Sequence, residues 1–145
     1  MTNYIKILRW LLFLPISLLG GWLLFYVVFY VLDMSTGGNA APDSIISYFN
    51  HIAASGLSGA ALVYSGVYIV PSYEKRVAIG YAVTTLFLLI LILTLPIFSP
   101  EFFVSLTNRE SYSFLDNLTF VALNVGIFFM AWNIYRDKVV FEKRV

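Results

Sequence analysis

The chain has 145 residues, of which 60% are hydrophobic and only 12% charged, and its formal net charge is +1. A globular domain carries roughly a quarter charged residues and about half apolar ones, so a water-soluble fold of this length could not bury so much apolar surface. The near-neutral balance leaves no electrostatic footprint for nucleic acid, and the absence of cysteine excludes disulfides, thiolate metal ligands and cysteine nucleophiles.

Four segments have the roughly 17 to 25 apolar residues that a helix needs to cross a hydrocarbon core of about 30 Å. They run over residues 10–32, 52–70, 77–98 and 118–135, and none contains Asp, Glu, Lys, Arg or His. Together they predict an all-α, four-span, up-and-down bundle filling the whole chain as one domain, with a short C-terminal extension over residues 136–145.

The first span follows Lys6 and Arg9 and precedes the small residues of "GNAAP", an arrangement that also occurs in signal peptides. Its apolar run exceeds the roughly 7 to 15 residues of a signal core, so a retained membrane helix is expected. Pro15 and the Gly20-Gly21 pair permit a bend there, and the glycines also permit close packing. "STGGNAAPDS" then supplies a Gly-Gly turn, and "PDSIISYFNHI" reads as a helix start entering the membrane near His51. His51, the only histidine, lies near Asp43 and Asn50 at this mouth; a solvated or capping role is expected of it, with pH sensing as the alternative.

The second span, "IAASGLSGAALVYSG", is crowded with small residues. Ala54, Ser58, Ala61 and Ser65 recur at helical intervals, with Ser55, Gly59 and Gly66 alongside. Helices in lipid associate through close backbone approach, so this face is expected to be buried against protein, either within the chain or at the seam of a homo-oligomer. A pore lined by its serines is a third possibility.

Charge then arrives abruptly in "VPSYEKRVAIG". Pro71 helps to end the second span, Lys75 and Arg76 sit in a tight 71–76 connection, and the short link makes the second and third spans an antiparallel hairpin. Tyr73, Tyr81, Trp10 and Trp132 fall at interfacial depths. The third span, "TTLFLLILILTLPIF", is bulky on all sides and is expected to face lipid in part. After it, "SPEFFVSL" offers Ser99 as a cap, Pro100 and Glu101 in the first turn, and a short surface helix.

The fourth span holds Asn124 well inside the membrane, where a carboxamide requires partners; hydrogen bonding between helices is the expected role, and a place in a solute path the alternative. Beyond it, Arg136, Lys138, Lys143 and Arg144 complete a one-sided distribution. Eight of the nine Lys and Arg residues fall on the side of the termini and the 71–76 turn, against Arg109 alone on the other. The positive-inside rule makes that side cytoplasmic, with both termini inside, and leaves the outer face acidic through Asp33, Asp43, Glu101, Glu110 and Asp116. Lys75, Arg76, Arg136, Lys138, Lys143 and Arg144 are then candidate contacts for anionic lipid or for a cytoplasmic protein partner. Val139, Val140 and Phe141 could add an apolar contact. The "NLT" at Asn117 matches a glycosylation acceptor but abuts the membrane.

The stretch from Gly59 to Ala78, "GAALVYSGVYIVPSYEKRVA", resembles a pattern in small bacterial four-span inner-membrane proteins, in which a small-residue helix ends in an Ile-x-Pro-x-x-x-Lys-like turn. The resemblance implies an inner-membrane location and no particular activity.

No phosphate loop, metal-ligand cluster or nucleophile with its base stands out in the sequence, and no ionisable group lies within a span. The expectation is therefore a non-enzymatic subunit of a homo- or hetero-oligomeric membrane assembly, needing no cofactor or metal, that engages a cytoplasmic partner. A sensor or anchor, for example in antiphage defence, would have this form. The competing expectation is a small homo-oligomeric channel or membrane-permeabilising effector.

Overall fold

The structure, a computed structural model, describes residues 3–37, 44–70, 73–98 and 114–136. Among them the chain is helical throughout: α1 (Asn3–Ser35), α2 (Ile45–Ile69), α3 (Glu74–Phe98) and α4 (Phe114–Tyr135). All four are long and apolar enough to cross a membrane, the mark of a multi-pass membrane protein. Each contains the span expected from the sequence, apart from Val70 just past the end of α2, and α1, α2 and α4 also begin well before theirs.

Local chemistry sets the helix ends. Gly37, at φ 96°, closes α1 while the amides of Thr36 and Gly37 reach back to Leu32 and Met34. Glycine adopts this left-handed conformation without the clash that a Cβ would bring. Ser44 starts α2 as its N-cap, its hydroxyl accepting from the Ser47 amide at 3.2 Å. Tyr73, at φ 68°, precedes α3, and its carbonyl accepts the first helical bond from Val77 at 3.0 Å. α1 continues as a helix through Pro15.

Composition decides which helix lies at the centre. The apolar stretch of α2 has a mean hydropathy of 1.4, the lowest of the four, and 39% of it is buried; those of α1 and α3 reach 2.2 and 2.4, with 11% buried in each. α2 therefore gives up lipid contact for protein contact. It packs along α1 on one side and α4 on the other, and α3 rests mainly on α4.

The contacts fix the helix directions. Phe29 of α1 meets His51 near the start of α2, whereas Ser17 meets Leu62 further along, so α1 and α2 run antiparallel. Lys75 at the start of α3 lies over Tyr135 at the end of α4, so that pair is antiparallel as well. α1 and α3 start at the same end, where Phe13 and Tyr81 meet edge to face at 6.4 Å. Arg9, Lys75, Arg76 and Arg136 thus gather at one end of the bundle, called the basic end below.

The core is small and lies towards that end. Val63 and Val67 of α2, Ala78 and Ala82 of α3, and Ile127, Ala131 and Ile134 of α4 form one buried cluster. The second and third helices form the expected antiparallel hairpin, but a loosely packed one. α2 and α3 are consecutive and joined by a short link, but their contact is slight, and α3 spends most of its protein contact on α4. The small side chains of Ala78 and Ala82 allow α3 to sit close to the core near its start. Further along, Leu86, Phe87, Leu88 and Ile90 are exposed and present bulk to the surroundings.

Candidate functional site

The small-residue face of α2 lies inside the chain. Ala54, Ser55, Ser58, Gly59 and Gly66 are buried, and Ala61 and Ser65 are partly so. The residues divide between three neighbours. Towards α4, Gly56 and Gly59 bring the two backbones together: a Cβ on Gly59 would strike the Leu123 carbonyl, and one on Gly126 would strike that of Gly56. Towards α1, a Cβ on Gly20 would come within 2.6 Å of Ser65 Oγ, and one on Gly21 within 3.1 Å of Leu62 Cβ. Such contacts require glycine, because in lipid the gain comes from close van der Waals approach and not from expelling water.

The third neighbour is a junction of helices. Gly66 of α2, Ser17 of α1 and Tyr81 of α3 converge: a Cβ on Gly66 would lie 2.5 Å from Tyr81 Oη and 3.0 Å from Ser17 Oγ. Ser17, fully buried, donates across the interface to the Leu62 carbonyl. Tyr81 Oη points towards Ser17 but meets no partner with hydrogen-bond geometry among the described residues.

Other hydroxyls and amides inside the spans turn inward on their own helices. Ser65 Oγ donates to Ala61 O at 2.7 Å, Thr85 Oγ1 to Tyr81 O at 2.8 Å, and Asn133 Nδ2 to Phe129 O at 2.7 Å. A carbonyl one turn earlier is the acceptor nearest to a short polar side chain in a helix. Asn124 does the same: its Nδ2 donates to Phe120 O at 3.0 Å within α4. The expected bond between helices is therefore made by Ser17 and not by Asn124, whose buried Oδ1 has no partner among the described residues. Asn50, 2% exposed, likewise keeps an unpartnered Nδ2.

His51 is partly buried in the contact between α1 and α2. Its ring packs on α1 against Phe29 at 4.4 Å and Phe25 at 6.1 Å, because α2 begins at Ile45 and carries His51 well into the α1 contact. Among the described residues no group of three or more His, Cys, Asp or Glu is placed to hold a metal ion.

At the basic end, cations lie over aromatic rings. Arg136 lies 4.5 Å from the Trp132 ring centroid, Arg76 5.3 Å from that of Tyr73, and Lys75 5.9 Å from that of Tyr135. All three cationic residues are exposed. Lys138, Lys143 and Arg144 lie outside the described residues, as do Pro71, Arg109 and the "SPEFFVSL" segment.

The close packing expected of Gly20 and Gly21 is found, whereas Ser17, Gly126 and Tyr81 are not among the packing residues expected from the sequence, though part of the signal is there. Ala122 and Gly126 form a small-x-x-x-small pair facing the corresponding pair Gly56 and Ala60. Ser17, Gly20 and Gly21 stand at helical spacing on α1. No protein-family model, curated protein or solved structure matches the chain.

Proposed function

We propose that the chain is a non-enzymatic integral subunit of a membrane assembly in a bacterial inner membrane, with the basic end and both termini in the cytoplasm. The observation that carries this reading is how the polar atoms are used. Ser17, Ser65, Thr85 and the amide nitrogen of Asn124 are spent on backbone carbonyls inside the bundle, while Lys75, Arg76 and Arg136 stand exposed together at one end. These polar atoms of the interior are satisfied on the backbone, and the chemistry open to a partner is at the basic end. The small face of α2 acts within the subunit, so a second copy or another protein is met through other surfaces, with the exposed cations recruiting a soluble acidic partner.

Extraction in mild detergent followed by sizing and mass spectrometry tests this. The native protein should elute as a complex larger than its 16.4 kDa chain and carry a second species. Joint replacement of Lys75, Arg76 and Arg136 by Glu should release that species. A lone chain in both cases would contradict the proposal.

A second reading, a small homo-oligomeric channel, draws on the interior amide atoms of Asn50 and Asn124 that have no partner among the described residues. Ion leakage through liposomes holding the purified oligomer would support it, and tight liposomes would remove it.

A further inference from the structure

α1 and α3 start side by side and touch through Phe13 and Tyr81, yet their backbones stay apart. A groove of about 410 Å³ opens between them, with Leu62 of α2 in its floor. Phe13, Leu14 and Leu18 form one wall; Val77, Gly80, Thr84 and Leu88 run along the other, and the lining is almost wholly apolar. Its volume falls in the range of roughly 300 to 1,000 Å³ typical of small-molecule sites.

We propose that this groove binds one acyl chain of an anionic phospholipid, whose phosphate is held at the basic end by Arg9 and Arg76. Length argues for a lipid tail over a helix. From Val77 to Leu88 the groove extends about 16 Å at 1.5 Å per residue, which is half of a hydrocarbon core of roughly 30 Å. It therefore occupies a single leaflet, from the basic end to the midplane. A helix of a second copy would need a groove through both leaflets.

Charge argues for the headgroup. Arg9 precedes Phe13 by four residues, and Arg76 precedes Gly80 by four, so each lies on the same helical stripe as a groove residue and one turn nearer the membrane surface. Helical side chains lean towards the helix N-terminus, which for both α1 and α3 is the basic end. Arg9 and Arg76 thus stand one turn beyond the groove on the two helices that wall it, Arg76 with its guanidinium 5.3 Å from the Tyr73 ring centroid, and a guanidinium can engage phosphate in a bidentate manner. Gly80 borders open space, since a Cβ there would meet nothing within 4 Å.

The site rests on the four helices crossing a bilayer, and carbonate extraction from membranes checks that independently of lipid retention. Native mass spectrometry of the detergent-solubilised full chain, titrated with dioleoyl phosphatidylglycerol or dioleoyl phosphatidylcholine, tests the site itself. The native chain should retain one phosphatidylglycerol in preference to phosphatidylcholine. At roughly 1 kcal/mol for each cation near an anionic headgroup, joint Arg9→Gln and Arg76→Gln substitution should weaken retention about thirtyfold. Gly80→Leu, which projects into open space and so leaves the fold intact, should abolish the preferred site with both arginines in place. Equal retention by the native chain and both variants would overturn the proposal. So would equal binding of the two lipids, or a dimer of the native chain that Gly80→Leu breaks.

Discussion

At the residue scale, glycines separate into those that hold the bundle and one that leaves space. Gly59 and Gly126 sit where α2 and α4 backbones meet, so Gly59→Ala or Gly126→Ala forces a backbone to move. Overpacking of this kind costs about 1 to 3 kcal/mol, and each variant should show a lowered midpoint in thermal unfolding followed in detergent. Gly80→Ala should instead hold or raise the midpoint, since the site is open and alanine favours helix by about 1 kcal/mol. Asn124→Leu should change stability by less than about 1 kcal/mol, because the lost bond lies within one turn of α4 and an unpartnered buried oxygen is removed with it. A much larger loss would show that Asn124 has a partner between helices after all. The buried small face of α2 was legible in the sequence because its residues recur at helical spacing. The role of Ser17 was not, since a serine in an apolar helix bonds as readily to its own preceding turn as to a neighbour, and only the proximity of Leu62 decides between them.

At the scale of elements, the four helices could be read from apolar length alone, whereas their neighbours could not. A short link brings the ends of α2 and α3 together but does not oblige the helices to stay in contact. The bulk of Leu86, Phe87 and Ile90 favours lipid on the outer half of α3, and the glycines of α2 and α4 draw those two helices together instead. The chain has no cysteine, so paired substitutions report neighbours cleanly. Gly56→Cys with Ala122→Cys should cross-link under mild oxidation within one chain, since a Cβ on Gly56 would lie 3.5 Å from the Ala122 carbonyl. Leu57→Cys with Leu88→Cys should not, as contact between α2 and α3 is slight and both side chains are exposed. Phe87 is 63% exposed on α3, where lipid contact is expected. Phe87→Asp should therefore impair membrane insertion, a burden of about 2.5 to 3.5 kcal/mol at mid-depth, seen as loss of the protein from the membrane fraction. Full insertion of that variant would place α3 against water or protein.

At the scale of the whole molecule, the arrangement joins a thin protein core to a wide apolar exterior. α1 and α3 carry most of the exposed bulk, α2 and α4 most of the close packing, and the basic end gathers cations above aromatic rings. A bundle made this way depends on its surroundings more than on a large interior of its own. The central claim is that four helices cross the bilayer with the basic end on the cytoplasmic side. Labelling of single cysteines with a membrane-impermeant thiol reagent in intact cells tests it most directly, using Ser35→Cys at the last residue of α1, away from the basic end, and Tyr73→Cys and Arg136→Cys at the basic end. The account predicts that Ser35→Cys reacts from outside, while Tyr73→Cys and Arg136→Cys react only after the membrane is permeabilised. Labelling of all three from outside, or of Tyr73→Cys and Arg136→Cys from opposite sides, would contradict it.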